Sequence, residues 1–373
     1  MHWKYVVDSV VQDLFAPKPC PSQCINPNVS RSGDRILYLI LIHNQRTAHN
    51  AIFLLRAIRD PRNTILIHVD SKFQLDESSD LLEEVRKCPC GATIRVESVH
   101  SVEWSRWSMN LPTLWALNLA INEYPNQWDV FINLSGDTLP VYTSDAMAEL
   151  LAELPYNFVT SHACETGLFP TNVYDFPHFW HKRRHYTVDE TEPDPVFRDH
   201  DTNVTITTHF GSQWVILRYT FVEWLVHQLA DDTSWPSQFR EYLKASGKLM
   251  TDETFIPTIL MYADDEFSLP NVTNDRRLLF ANGTHSNMTS VRFERMDEHF
   301  PSAFLQFPES QRYQVPKSLL HEVDQPRVWG PYVLGVYDLG SIRQSGALFA
   351  RKVSAHVDPN LVRLLPVDDV NRI

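Results

Sequence analysis

From Arg35 onward the chain alternates between two hydrophobic spacings. Ile36-Leu-Tyr-Leu-Ile-Leu-Ile42 is an unbroken apolar run closed by His43 and Asn44. Such a run is too short for a buried helix and predicts a strand covered on both faces, over Arg35 to His43. Thr47 to Ile58 carries Ala51, Leu54, Leu55 and Ile58 at helical spacing, and Asn63 to Val69 is apolar again. Strand, helix, strand in that order predicts a βαβ unit and a parallel sheet. Thr93 to Val99 reads as a third strand, Met109 to Ile121 as a helix, and Val130 to Leu134 as a fourth strand. The remainder is less regular, with strands near Val204 to Thr208 and Trp214 to Leu217. Helices are expected near Phe221 to Leu229, Glu253 to Tyr262 and Pro359 to Leu365. The fold class is α/β.

Residues 1–33 break this pattern. Ala16-Pro-Lys-Pro-Cys-Pro-Ser-Gln-Cys24 is too rich in proline for a long helix or a central strand, so 1–33 reads as a stem and 34–373 as the folded domain. Gly167 to Asp201 is a long, aromatic and charged loop, a length that is usually functional.

Composition narrows the partners. A chain of 373 residues that is 43% hydrophobic has material for a large core. A net charge of −13 argues against nucleic acid, whose binders need a basic face to release counterions. An anionic ligand must meet a local basic cluster: His181-Lys-Arg-Arg-His185, Arg276-Arg277 or Arg351-Lys352. Asn-x-Ser/Thr sequons at Asn28, Asn203, Asn271, Asn282 and Asn287 are candidate glycosylation sites, whereas Asn133 lies in an apolar strand and reads as a chance match. Cys20, Cys24, Cys88 and Cys90 form two close pairs, with Cys164 apart. A zinc site and disulfides both remain open, and the spacing with the sequons favours disulfides in a secretory lumen. No apolar run is long enough to span a bilayer, so membrane association is expected only through an anchor that this chain does not contain.

In open parallel sheets, ligands bind beyond the carboxyl ends of the strands. Two predicted strand ends carry polar groups there: Leu41-Ile-His43-Asn44 and His68-Val-Asp70-Ser-Lys72. A strand-end acid beside a histidine suits a ribose or nucleobase, while a turn-capping Asp70 and a core His43 is the alternative. Further on, Leu249-Met-Thr-Asp-Glu-Thr-Phe255 sets two adjacent acids at the start of an apolar run.

The segments Ile36 to His43, Leu54 to Ile58, Ile67 to Asp70, Phe131-Ile-Asn-Leu-Ser-Gly136, Gly211 to Leu217, Asp252-Glu253 and Ser345 to Lys352 occur in that order. Together they resemble the core-2/I-branching enzymes and peptide O-xylosyltransferases of glycosyltransferase family 14, over about residues 35–365. The resemblance implies a nucleotide-diphospho-sugar transferase (GT-A-like) fold, a Rossmann-like mixed sheet with flanking helices in a single main domain. Residues 34–140 would form the nucleotide-binding half and 141–373 the acceptor and catalytic half. It implies inverting transfer of N-acetylglucosamine or xylose, with glucuronic acid behind them, from a UDP-sugar to a hydroxyl of a glycan or glycoprotein. No metal or other cofactor is implied, and the setting is the Golgi or another part of the secretory lumen. The alternative is a non-catalytic carbohydrate-binding descendant of the same fold.

By the same resemblance, Leu41, His43 and Asp70 would contact uridine, Glu253 would be the catalytic base, and Lys352 with an arginine upstream would balance the diphosphate; Arg351, beside Lys352, has the right charge for the same site. An upstream arginine falls near Arg327, although a gapless match lands on Trp329. Physically, one carboxylate suffices to take the proton from an attacking hydroxyl, and fixed cations stabilise the departing diphosphate. Thr251 or Asp252 is expected to cap the helix running to Tyr262, with Glu253 in its first turn under a favourable dipole. Asp199-His-Asp201 spells a metal-binding triplet but lies in a polar loop rather than at a strand end. Asp137, one place earlier than the family's acid, is a candidate ligand to the sugar or backbone. Trp104 and Trp214 are candidate stacking surfaces for a sugar, and Lys182 and Arg183 candidate contacts for an acidic group.

Overall fold

The apolar run at the start becomes the centre of a sheet. The structure is a computed structural model that describes residues 32–87, 92–154, 156–159, 161–163, 196–198, 205–245, 250–263, 272–273, 292–293, 333–344 and 347–366. Strand β1 (Ile36–Ile42) runs parallel to both β2 (Thr64–Val69) and β4 (Val130–Ser135), with Leu37 opposite Thr64 on one side and Phe131 on the other. The edge strand β3 (Thr93–Glu97) adds in parallel to β2. Beyond β4 the direction changes. Strand β11 (Ile216–Arg218) is antiparallel to β4 and to β6 (Asn157–Phe158), and β12 (Val272–Thr273) closes the far side, giving a seven-stranded order β12-β6-β11-β4-β1-β2-β3. This is the Rossmann-like mixed sheet of a GT-A-like fold. Antiparallel pairs join β7 (Ser161–Ala163) to β10 (His209–Gly211) and β8 (Val196–Arg198) to β9 (Thr205–Thr207). A small sheet runs β13 (Arg292–Phe293), β14 (Phe349–Arg351), β5 (Thr138–Pro140).

Strand periodicity divides the core. Ile36, Tyr38, Ile40 and Ile42 point to one face, packed with the Gln45–Ile58 helix, the Ser144–Ala152 helix and the segment from Phe349 to Leu365. Leu37 and Leu39 point to the other, against the helices Leu111–Asn122, Tyr219–Ala230, Trp235–Ala245 and Phe255–Tyr262. Each such fully buried aliphatic side chain contributes about 1.5–3 kcal/mol, so the central strands anchor everything built on their ends.

The expected strands and helices of the first 140 residues are all present, with ends shifted by a residue or two. Four helices among the described residues were not anticipated: Asp80–Arg86, Leu339–Gln344, Ser144–Ala152 and Trp235–Ala245. The first is too short for its period to emerge, and the last opens on Trp-Pro-Ser, which does not read as helical. Asn133 behaves as the apolar run suggested. It is 1% exposed, and its amide donates to Gln213 O at 2.7 Å and accepts from Val215 N at 2.8 Å, which ties β4 to the approach of β11.

Candidate active site

Charge gathers where β4 turns into β5, at Ser135-Gly-Asp-Thr138. Gly136 N donates to Leu41 O at 3.1 Å, and a Cβ on Gly136 would lie 2.2 Å from Thr47 O. Only glycine lets this turn press against the start of the Gln45–Ile58 helix. That helix begins at Asn44, whose side chain accepts from Thr47 N at 2.9 Å, while Thr47 Oγ1 accepts from Asn44 N at 3.2 Å. The cap directs Arg46, in the first turn, toward Asp137, with its guanidinium 3.7 Å from Oδ2.

From the other side, β14 sets Arg351 opposite Thr138. Arg351 Nε donates to Ser135 Oγ at 2.7 Å and to Asp137 Oδ1 at 3.1 Å, and Ser135 Oγ donates to the same Oδ1 at 2.5 Å. Val353 N donates to Asp137 O at 2.8 Å. The Arg351 guanidinium also lies over the Trp214 ring, 5.2 Å from its centre. Asp137 is 2% exposed, and burial alone would raise its pKa. The charges of Arg351, Lys352 and Arg46, with the Ser135 hydroxyl, outweigh that and hold the carboxyl below its ordinary range. Three cations around one carboxylate leave a positive corner in a chain whose net charge is −13.

His43 follows β1 into the same corner. Loss of hydration lowers its pKa; Asp137 opposes this, and Arg46, Arg351 and Lys352 reinforce it. Asp70, at the end of β2, is 5% exposed, and its N donates to Ile42 O at 2.7 Å. Its Oδ1 accepts from Lys72 N at 3.0 Å, so the turn-capping role weighed above is present at the strand end. His68 accepts at Nε2 from His100 N at 3.2 Å and is pushed by burial to a pKa of about 4, so it is neutral.

The segment from Ser98 to Asn110 connects this edge to the second acidic element. Ser71 N donates to His100 O at 3.0 Å and Lys72 Nζ to Val102 O. Further along, Met250 N donates to Ser105 O at 2.9 Å, Asn110 Nδ2 to Thr251 Oγ1 at 3.1 Å, and Trp107 meets Phe255 edge-on at 5.2 Å. Ser105 and Met250 both take left-handed backbone conformations, with φ of 63° and 57°, an arrangement that costs free energy in residues with a side chain. The chain then makes one 3₁₀ turn, Thr251–Glu253, before the Phe255–Tyr262 helix, whose N-cap is Thr254.

This corrects the expectation for the two acids. Neither Thr251 nor Asp252 caps the helix, and Glu253 stands before its first turn, half-buried. The left-handed Met250 forces the tight turn that displaces it. Asp252 is 5% exposed, and both carboxylate oxygens are buried without a hydrogen-bond partner among the described residues. Burial pushes its pKa up to about 7, against the backbone amides of Asp252 and Glu253 that favour the charged form.

The remaining candidates divide. Trp104 is 46% exposed, whereas Trp214 is buried beneath Arg351, forming the wall of the cation corner instead of an open stacking surface. Arg327, Trp329, Lys182, Arg183, Asp199, Asp201, the cysteines and the sequons at Asn28, Asn203, Asn271, Asn282 and Asn287 lie outside the described residues. Among the described residues, no three His, Cys, Asp or Glu side chains are grouped to hold a metal ion, and no helix is long and apolar enough to cross a membrane. Arg46 and Ser135 were missed. Arg46 follows the cap by two residues, the only local signal that it faces the strand ends.

Comparison with known proteins gives a consistent answer. A family model described as Core-2/I-Branching enzyme matches residues 36–300. The chain is 29% identical over 248 residues to "Xylosyltransferase oxt" of Drosophila melanogaster, covering 63% of this chain and 25% of that protein. It is 30% identical over 241 residues to the protein of the same name in Drosophila pseudoobscura pseudoobscura, covering 61% and 24%. "Xylosyltransferase 2" of Homo sapiens is 24% identical over 239 residues, covering 61% and 24%. The matched region thus spans about a quarter of the length of these relatives.

Proposed function

The chain belongs to the core-2/I-branching enzyme family of glycosyltransferases, and from that premise we propose that it transfers a sugar from a UDP-sugar to a hydroxyl of a glycan or glycoprotein, with inversion and without a divalent metal. The observation that carries this reading is the cation corner, in which Arg46, Arg351 and Lys352 surround buried Asp137 at the carboxyl ends of parallel strands. Asp137 keeps Arg351 in place. Arg351 and Lys352 face the diphosphate, whose leaving oxygen gains charge as its bond to the anomeric carbon breaks, so they stabilise the transition state more than the ground state. His43 and Asp70 flank the uridine, and loss of hydration shifts His43 toward its neutral form.

Glu253 removes the proton of the acceptor hydroxyl as that oxygen bonds to the anomeric carbon from the face opposite UDP. One proton passes to Glu253, one carbon–oxygen bond forms and one breaks. Xylose and N-acetylglucosamine are the donor sugars favoured by the named relatives and the family, and a secretory lumen is the compartment in which such acceptors are found.

A thermal-shift panel of UDP-sugars followed by transfer assays tests the reading, because a ligand bound only by the folded state raises apparent stability with its affinity. Glu253→Gln should retain UDP-sugar binding and lose transfer by roughly 10²–10⁴-fold. Full activity in that variant would remove Glu253 from the mechanism, and EDTA-sensitive transfer restored by manganese would remove metal independence.

A further inference from the structure

A cavity of about 490 Å³ opens beside the Ser98–Asn110 segment, walled by Ser101, Glu103, Arg106 and Trp107 on one side and by Leu243 and Lys244 on the other. Its size falls within the roughly 300–1,000 Å³ of small-molecule sites. The wall mixes complementary polar groups around an aromatic plate. The Glu103 carboxylate accepts, the Arg106 guanidinium donates, and the Ser101 hydroxyl does either. Trp107 adds an indole face, and its Nε1 is buried with no hydrogen-bond partner among the described residues.

The charge in the wall argues against an anion. Lys244 is already held by Glu241 at 2.7 Å and lies over the Trp107 ring at 5.9 Å, and the wall carries the Glu103 carboxylate as well as Arg106. A neutral ring bearing hydroxyls fits better, since each hydroxyl can donate to a carboxylate and accept from a guanidinium. Trp104, 46% exposed and next to Glu103 in the chain, extends the apolar surface. The cavity also shares its frame with the turn that carries Glu253, because Trp107 packs on Phe255 and Ser105 holds Met250.

We infer that this cavity is a second sugar-binding site, which takes a neutral pyranose of the acceptor glycan away from the hydroxyl that reacts. The inference rests on the transferase reading above. Ser101 is exposed at the lip, so Ser101→Arg blocks the cavity without removing a core contact, and Arg106→Gln removes the donor from the wall.

The test is titration calorimetry of the whole chain with neutral di- and trisaccharides, with an acidic peptide and with UDP. A neutral oligosaccharide should bind the unaltered protein and lose about tenfold in affinity in both variants, with UDP affinity unchanged. The site is overturned if no neutral oligosaccharide binds, if both variants bind it as well as the unaltered protein does, or if the acidic peptide is the ligand whose binding the variants lose. Failure of every UDP-sugar to bind defeats the transferase reading separately, whatever the glycan titrations give.

Discussion

The β4–β5 corner and the Met250–Glu253 turn each bury one aspartate, Asp137 at 2% exposure and Asp252 at 5%. The same carboxyl, equally removed from water, is drawn down in one place and pushed up to about 7 in the other. Burial penalises the charged form in both. The difference is the neighbours: Arg351, Lys352, Ser135 and Arg46 face Asp137, whereas among the described residues only the backbone amides of Asp252 and Glu253 favour the charged form of Asp252. In one region cations surround the carboxylate and its Oδ1 is hydrogen-bonded, while Oδ2, without a hydrogen-bond partner among the described residues, has Arg46 at 3.7 Å. The other follows the left-handed Met250 and sets beside the candidate base an acid with no side-chain partner among the described residues, the kind of local cost that folds tolerate where a tight turn serves a site.

The largest test of this contrast is Asp137→Asn. Removing one partner of a buried ion pair leaves the other charges uncompensated and should cost about 3–5 kcal/mol in urea unfolding at neutral pH. Adding Arg351→Met should recover part of that loss, since the two changes act on one interaction. A loss below about 1 kcal/mol would show that Asp137 is not the hub of the corner.

The second test uses pH. The pKa of Asp137 is depressed, so its contribution is present above about pH 4 and is lost on acidification through its folded value. Asp252 has the opposite sign: its folded pKa of about 7 exceeds the ordinary aspartate value, so its contribution is full below about pH 4 and is lost as pH rises toward 7. Asp252→Asn should flatten the stability profile across that interval, a relative change on the order of a few kcal/mol. Parallel profiles for the variant and the unaltered chain would equate the two aspartates and end the comparison.

The smallest effect is expected from Arg46→Gln. At 3.7 Å from Asp137, with a side chain 22% exposed, Arg46 should contribute about 1 kcal/mol or less to stability. UDP affinity should fall modestly in the same variant. A cost matching that of Asp137→Asn would mean that Arg46, and not Arg351, is the main partner.

Much of the frame was legible in the chain. Unbroken apolar runs gave β1, β2 and β4, and the 3.6-residue period gave the Gln45–Ile58 helix, because these depend on neighbours a few positions away. Strand ends also marked His43 and Asp70, since a parallel sheet leaves its carboxyl edge open to ligands. The ordering of motifs pointed to the family. Pairing was a different matter: Arg351 and Asp137 are 214 positions apart, and Arg46 reaches the same carboxylate from another element. Asp252 read as a cap because its sequence context suits one, yet the left-handed Met250 sets a 3₁₀ turn that makes Thr254 the N-cap.

By itself, then, the sequence determined which segments become strands and helices, that the sheet opens a polar edge at His43 and Asp70, and that acids lie near residue 253. Only the tertiary structure decided which acid is paired with cations and which has no side-chain partner among the described residues, and that Trp214 is buried under Arg351 while Trp104 faces solvent. Periodicity records short-range geometry along the chain. The charge state of a carboxyl is set by how much water and how many cations the folded chain brings to it across long separations.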